Sequence, residues 1–401
     1  MGDKLKAYFE DFLRKDPIFS NKKVLQTNYN PEKISYRDEQ LESLASTLAP
    51  SLRMEKPSNI FLYGKPGTGK TLLTKHVSKQ ILEVANKNNL SLNIIYINCK
   101  MKRVADTEYR LIVQIASEFG KKIPATGLPT DEVYKIFIKA IDEEKKLILL
   151  VLDEVDQLVK KAGDEILYNL TRLNSELKNV ELSFIGISND LLFLDHIDPR
   201  VKSSLSEEEF VFPPYNALQI QGILRERSEM GFRAGVVSEG VIEKCAAYAA
   251  REHGDARRAL DLLRVAGELA ERKNKQKVTI EDIDEAEEKI EKDKIMDIVS
   301  TQPKQHQLTL LSIFSISEIT TDHIFTGDVY EVYQDYCNKI KVKPLTQRRV
   351  SDIIAELDML GIINVRVISK GRYGRTREIK LAIPNSAVPK IKTILKEGLN
   401  L

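Results

Sequence analysis

Cysteine is scarce in this chain: Cys99, Cys245 and Cys337 stand far apart in 401 residues. That spacing excludes a disulfide framework and offers no metal-ligand pattern, so a reducing cytosol is the expected compartment. An excess of one charge is also missing. The 61 Lys and Arg nearly balance 59 Asp and Glu, for a net charge of +2. No global basic field announces a nucleic-acid partner, and any such surface must be local. No run is long and apolar enough to cross a membrane as a helix. Residues Met1 to Lys6 carry no apolar signal core, and Lys6 stands where myristoylation needs Ser or Thr. A soluble cytoplasmic protein without a membrane partner is expected.

What the chain does contain is enough apolar material, 42% of residues, for about two or three cored domains. Its most specific stretch is Phe61 to Leu72: an apolar strand, the turn Gly64-Lys65-Pro66-Gly67-Thr68-Gly69-Lys70-Thr71 and a helix opening at Leu72. The turn fits G-x-x-x-x-G-K-S/T, in which backbone N–H groups converge on phosphates at the positive end of a helix. Lys70 is expected to reach the β- and γ-phosphates of ATP, and the Thr71 hydroxyl to ligate Mg²⁺.

Upstream, residues 1 to 20 read as a short amphipathic helix, and Asn30 to Gln40 as a turn and helix cap. Downstream, Ile94 to Cys99 reads as a buried strand, followed by Lys100-Met101-Lys102-Arg103. Three cations beside a strand end suit either phosphate contact or a solvated cluster. About 80 residues past the phosphate loop, Leu147 to Leu152 is apolar throughout and ends in Asp153-Glu154. A parallel strand buried on both faces needs such a run. Asp153 is then expected in the Mg²⁺ shell and Glu154 as the group polarising the attacking water. The strand Leu182 to Ser188 brings Asn189 to the same rim, as a water-orienting group or a turn former. Arg200 reads either as a surface ion-pair residue or as an arginine aimed at a neighbouring subunit's γ-phosphate.

At Phe212-Pro213-Pro214-Tyr215 the alternation of strand and helix gives way to helices. One helix opens at Gly254-Asp255-Ala256-Arg257-Arg258, where cations oppose the helix dipole unless an anion binds there. From about residue 300, helices are expected at 307–318, 326–340 and 346–360, then strands at 362–368 and 378–383. Three helices and a hairpin make a winged helix. Thr346 caps its third helix, with Gln347, Arg348 and Arg349 facing a major groove. The hairpin tip holds Lys370, Arg372, Tyr373, Arg375 and Arg377 with no acidic residue, a composition suited to DNA phosphates.

Taken in order, the phosphate loop, Asp153-Glu154, Asn189, the Gly254-Asp255-x-Arg257 helix start and the C-terminal winged helix resemble the archaeal origin-recognition and helicase-loader initiators. These are AAA+ ATPases related to the large subunit of the eukaryotic origin recognition complex. The last two features separate that family from clamp loaders and protein unfoldases. Covering nearly the whole chain, the resemblance implies an α/β fold with an AAA+ P-loop parallel sheet at 1–214, a helical lid at 215–298 and a winged-helix DNA-binding domain at 299–401.

The same resemblance implies residue roles that spacing leaves open. Asn189 becomes a first sensor and Arg257 a second one on the lid, while Arg200 becomes the finger toward a partner subunit. Tyr36 and Arg37 fall near the adenine, and Tyr215 and Arg227 flank the base. Lys102 and Arg103 fall in an inserted DNA-contacting helix of the ATPase domain. ATP/ADP and Mg²⁺ are the implied cofactors. Double-stranded origin DNA, the replicative helicase and paralogous initiator subunits are the implied partners. The expected function is a chromosome-associated replication initiator switched by ATP binding and slow hydrolysis; the alternative is a nucleotide-gated transcription regulator.

Overall fold

A computed structural model describes the chain outside residues 1–5, 7–8, 11–13, 15, 101–106, 125, 206, 320–323, 370–374 and 384–387. It divides into two compact units, Met1–Ile283 and Asp284–Leu401.

The first unit is built on strands β1 (Ile60–Tyr63), β2 (Leu92–Asn98), β3 (Lys146–Asp153), β4 (Val180–Ser188) and β5 (Glu208–Val211). Their order is β2-β3-β4-β1-β5, parallel throughout. β3 shows why its sequence is almost wholly apolar. Leu147, Leu149 and Val151 pack with Leu73, Val77 and Ile81 of the helix Lys70–Lys87. Ile148, Leu150 and Leu152 join Leu111, Ile112, Ile115 and Phe137 in the core on the opposite face. Both faces are dry, so alternation of side chains leads into hydrophobic cores either way. Each fully buried leucine contributes about 1.5–3 kcal/mol.

β5 has no counterpart in the sequence reading. It is a short edge strand, Glu-Glu-Phe-Val, held by pairing with β1. Two glutamates on an exposed edge carry no apolar pattern, yet they keep that edge from pairing with other chains. Of the helix expected over residues 1 to 20, Lys6, Phe9, Glu10 and Arg14 are helical, the other positions up to 15 lie outside the described residues, and Asp16 to Ser20 is not helical. Pro17 removes a donor, and Phe19 bridges instead to Phe232, with ring centroids 4.8 Å apart. A Cβ on Gly267 would lie 2.5 Å from the Phe19 ring, so this glycine lets the leading segment dock on the helix Ala256–Arg272.

The helices after Phe212 are Ala217–Gly231, Val241–Arg251 and Ala256–Arg272. Asn216 and Gln219 close a reciprocal capping box on the first. Asp255 caps the third through the N–H groups of Arg257 and Arg258.

The second unit holds helices Lys304–Ile319, Thr326–Lys339 and Gln347–Met359 around one core. β7 (Ile363–Ser369) and β8 (Arg375–Leu381) form the expected antiparallel hairpin. Two elements went unread: β6 (Ile324–Phe325), which pairs with β8, and the helix Val388–Leu399, whose Ile391 and Leu395 complete the core. β8 begins earlier than its apolar alternation suggests because Arg375 pairs with Ser369, a partner supplied by the fold.

Candidate active site and nucleic-acid interface

The phosphate loop joins β1 to the helix Lys70–Lys87, which opens two residues before Leu72. Its shape depends on glycine. Gly67 and Gly69 have φ of 73° and 96°, and a Cβ on Gly64 would lie 2.4 Å from Phe212 O. Thr68 Oγ1 donates to Lys65 O (2.8 Å), closing the loop on itself, while Lys65 and Pro66 stay exposed. Lys70 is 4% exposed and its Nζ donates to Gly64 O (2.7 Å) and Lys65 O (2.9 Å). Burial pulls its pKa down to about 8, opposed by Asp153 and helped by the neighbouring charge of Arg257.

Beside the loop, Thr71 Oγ1 donates to Asp153 Oδ2 (3.0 Å), so the two expected metal ligands already touch. Tyr96 donates its hydroxyl to the same carboxylate oxygen. Burial, and then that bond, raise the Tyr96 pKa above its ordinary value, so it is a neutral donor. Glu154 follows with a left-handed backbone, φ 56° and ψ 44°, uncommon for a residue with a side chain. This kink turns the chain from β3 into the helix Val155–Ala162, and Lys100 Nζ lies 3.7 Å from Glu154 Oε2. Asn189 stands one step past the Tyr63–Ser188 pair of β1 and β4, next to Gly64 and on the rim with Asp153.

A cavity of about 280 Å³ opens over the loop. Gly67, Gly69, Thr71 and Leu72 line it from below, and Tyr215, Arg227 and Arg257 from the lid. The Gly254-Asp255 turn docks directly on the loop. A Cβ on Gly67 would fall 1.7 Å from Asp255 Oδ1, and one on Gly254 would fall 2.4 Å from Tyr215 O. Arg258 is satisfied by Glu252 (3.2 Å), whereas Arg257 is exposed at the cavity wall. Arg227 is buried over the Tyr29 ring (4.5 Å) with Nη1 lacking a partner, and burial lowers its pKa. A buried guanidinium nitrogen without an acceptor is costly. The cavity thus joins the phosphate-loop backbone, Lys75, two arginines and the Thr71 hydroxyl, with Asp153 held just behind Thr71, a donor set that fits a polyphosphate with a divalent cation.

Tyr36 and Arg37 lie elsewhere than the cavity wall. Tyr36 takes φ 62° and packs on Gly222. Arg37, 2% exposed, donates from Nε to Thr68 O (3.0 Å) and from Nη2 to Pro213 O (2.6 Å), with its guanidinium 3.9 Å from the Tyr215 ring centroid. It ties the back of the phosphate loop to the start of the lid. Arg200 is also apart from the cavity: exposed, it holds Asp198 through Nε (3.1 Å) and Nη2 (2.8 Å), pulling the Asp198 pKa down to about 2. Lys102 and Arg103 lie outside the described residues.

In the second unit, Thr346 caps the helix Gln347–Met359 by accepting from Arg349 N (3.4 Å). Gln347 and Arg348 are exposed and, with Ser351, Val367, Thr376 and Arg377, line a cleft of about 680 Å³. Arg349 is drawn to Glu356 (3.3 Å), whose other oxygen meets His306 Nε2 (2.6 Å). Arg377 donates to Ser351 O and to Ser351 Oγ (2.8 Å), bracing β8 against that helix. Lys370, Arg372, Tyr373 and the Arg375 side chain lie outside what the structure describes.

Residues 53–193 match the AAA domain family, 221–288 the Cdc6 AAA+ ATPase-type lid domain, and 297–390 the CDC6, C terminal winged helix domain. Over 397 residues the chain is 52% identical to the ORC1-type DNA replication protein of Pyrococcus furiosus, spanning 98% of this chain and 93% of that protein. The chain belongs to the ORC1-type DNA replication protein family. Methanosarcina acetivorans ORC1-type DNA replication protein 1 is 49% identical, over 99% of this chain and 95% of that one. Among solved structures, the Aeropyrum pernix ORC1 protein in complex with DNA is similar with a TM-score of 0.83 and 43% identity, over 96% of this chain and 98% of that one.

Within this ORC1-type fold, Tyr29, Lys75 and Tyr96 are the side chains at the site that sequence reasoning passed over. Lys75 carried a faint signal, since it follows Thr71 by one helical turn and shares its face. Tyr29 carried none, because only the folding of the leading segment onto the lid brings it to Arg227.

Proposed function

We propose that this chain is an ATP-switched replication initiator that binds double-stranded origin DNA and helps load the replicative helicase, alone or with paralogous subunits. The observation that carries the switch is the contact of Asp255 with Gly67, which puts Arg257 and the phosphate loop on one cavity. In the proposed organisation, residues 1–214 hold the nucleotide, 215–298 form the lid and 299–401 bind DNA.

Lys70, released from Gly64 O and Lys65 O, takes the β- and γ-phosphates of ATP. Thr71 and Asp153 would hold Mg²⁺, which would supply charge neutralisation to the phosphates. Glu154 accepts a proton from the attacking water, and Asn189 orients that water. Arg257 reads the γ-phosphate from the lid, while Tyr215 and Arg227 flank the base. Arg37 serves the nucleotide indirectly, by fixing the loop to the lid. Arg200, exposed and paired with Asp198, is assigned to a partner subunit's nucleotide. Hydrolysis is slow and acts as a timer, because a lid closed on a small cavity makes product release and reopening the gating steps.

DNA binding rests on the exposed Gln347 and Arg348 above the cleft, with the basic hairpin tip and Lys102–Arg103 as further footholds. The relatives' shared name as replication proteins favours origins over promoters.

Glu154→Gln is expected to bind ATP as tightly as the parent protein while turnover falls by at least about 100-fold, the scale of a lost general base. Chromosome-wide footprints in ATP and in ADP, with Arg372→Ala as control, test the DNA side. Sharp sites near replication starts are expected; sites confined to promoters would overturn the reading.

A further inference from the structure

Tyr96 has a polar atom that packing alone does not require. β2 pairs with β3 so that Tyr96 stands opposite Val151 and Asn98 opposite Asp153. Side chains alternate between faces, which puts Tyr96 and Asp153 on one face of the sheet, a single diagonal step apart. Across that step the Tyr96 hydroxyl donates to Asp153 Oδ2, the oxygen that also accepts from Thr71 Oγ1 (3.0 Å). Among the described residues, no side-chain donor is recorded on Asp153 Oδ1. Lys75 Nζ lies 4.3 Å from the centroid of the Tyr96 ring, holding the ring's other side from the helix that carries Thr71.

We propose that Tyr96 is a positioning residue for the metal site. It fixes the rotation of the Asp153 carboxylate, so that Oδ1 is presented to the water shell of a divalent cation. This rests on the nucleotide-site reading given above and extends it to a residue outside the phosphate loop and the Asp153-Glu154 pair.

The chemistry follows from counting donors and lone pairs. An aspartate χ2 is broad and two-fold, so one donor leaves the carboxylate free to rock. Two donors from different elements, on the same oxygen, define its plane. Thr71 has a single hydroxyl proton, which it spends on Asp153, leaving its lone pairs for a metal. Tyr96 supplies the second donor without competing for the metal, because its hydroxyl comes from the neighbouring strand. Partners of this kind orient ligands and tune affinity even though they never touch the ion.

The variant to make is Tyr96→Phe, which keeps the ring, the packing and the contact with Lys75 and deletes only the donor. ATP binding is measured by calorimetry in EDTA and then across a Mg²⁺ titration, with Mn²⁺ binding followed by electron paramagnetic resonance as a readout that needs no turnover. Binding in EDTA is expected to stay within about twofold of the parent, while the half-saturating Mg²⁺ and Mn²⁺ concentrations rise about tenfold. Unchanged metal midpoints would overturn the inference. So would an equal loss of binding with and without metal, which marks a packing role. A parent protein whose ATP binding ignores Mg²⁺ altogether would take down the nucleotide-site reading itself, and this inference with it.

Discussion

Asp255 Oδ1 sits 1.7 Å from the point where a Cβ on Gly67 would be, so the cap of the lid helix and the phosphate loop are in contact with no room for one more carbon. Both partners are committed: the carboxylate also accepts from Arg257 N (2.8 Å), and Gly67 needs its φ of 73°.

Gly67→Ala therefore suffers twice. The left-handed backbone costs about 1–2 kcal/mol for any L side chain, and the methyl group displaces Asp255. ATP affinity is expected to fall at least about tenfold, each such step being 1.4 kcal/mol, while the winged-helix unit is unaffected. Calorimetric titration with ATP checks the first expectation, and DNA binding by the isolated change in nucleotide-free protein checks the second.

Lys70 makes nucleotide binding depend on pH in a defined direction. Its folded pKa of about 8 lies below the ordinary 10.5, so the unfolded chain binds more protons between those values. Stability of the nucleotide-free protein should accordingly rise with pH through that window. Phosphate favours the protonated amine, so ATP binding should take up protons near pH 8 and weaken above it. Calorimetry in buffers of different ionisation enthalpy measures the uptake, and Lys70→Ala should abolish it.

Arg37 predicts a stability effect larger than its distance from the cavity suggests. Arg37→Ala leaves Thr68 O and Pro213 O without their donor and removes the cation from the Tyr215 ring. A loss of about 3 kcal/mol is expected, read as a lower denaturant midpoint together with weaker ATP binding. Arg37→Lys should not restore it, since an ammonium cannot span two carbonyls and stack on an aromatic face as a planar fork does.

Arg348 and Arg349 are neighbours in sequence and should behave differently on DNA. Arg349 already has Glu356 at 3.3 Å, whereas Arg348 has no recorded acidic partner among the described residues. Arg348→Ala is expected to reduce the slope of log affinity against log salt by about one unit, and Arg349→Ala by clearly less. Fluorescence anisotropy over a salt series distinguishes them, and equal slopes would place the cleft away from the phosphates.

Much of this molecule was legible in sequence because its chemistry is local. The Gly64–Thr71 turn, the apolar run into Asp153-Glu154 and the Gly254-Asp255-x-Arg257 helix start are each specified by residues close together along the chain. Strand β3 had to be apolar on both faces, and its unbroken apolar run said so directly. The edge strand β5 and the helix Val388–Leu399 escaped notice for the opposite reason, since partners distant in sequence hold them in place.

The sequence by itself determined most of the elements of the nucleotide unit and winged helix, and which side chains can do phosphate, metal and proton chemistry. Only the tertiary structure decided what those side chains do with their donors. Arg37, grouped by resemblance with the adenine, is spent on Thr68 and on Pro213, 176 residues away. Of the two arginines opening the lid helix, Glu252 claims Arg258 and leaves Arg257 at the cavity. Tyr96 becomes a partner of Asp153 through strand register alone. The physical reason is common to all three: a hydrogen bond is short and directional, so its assignment follows from packing that brings distant backbone segments within about 3 Å.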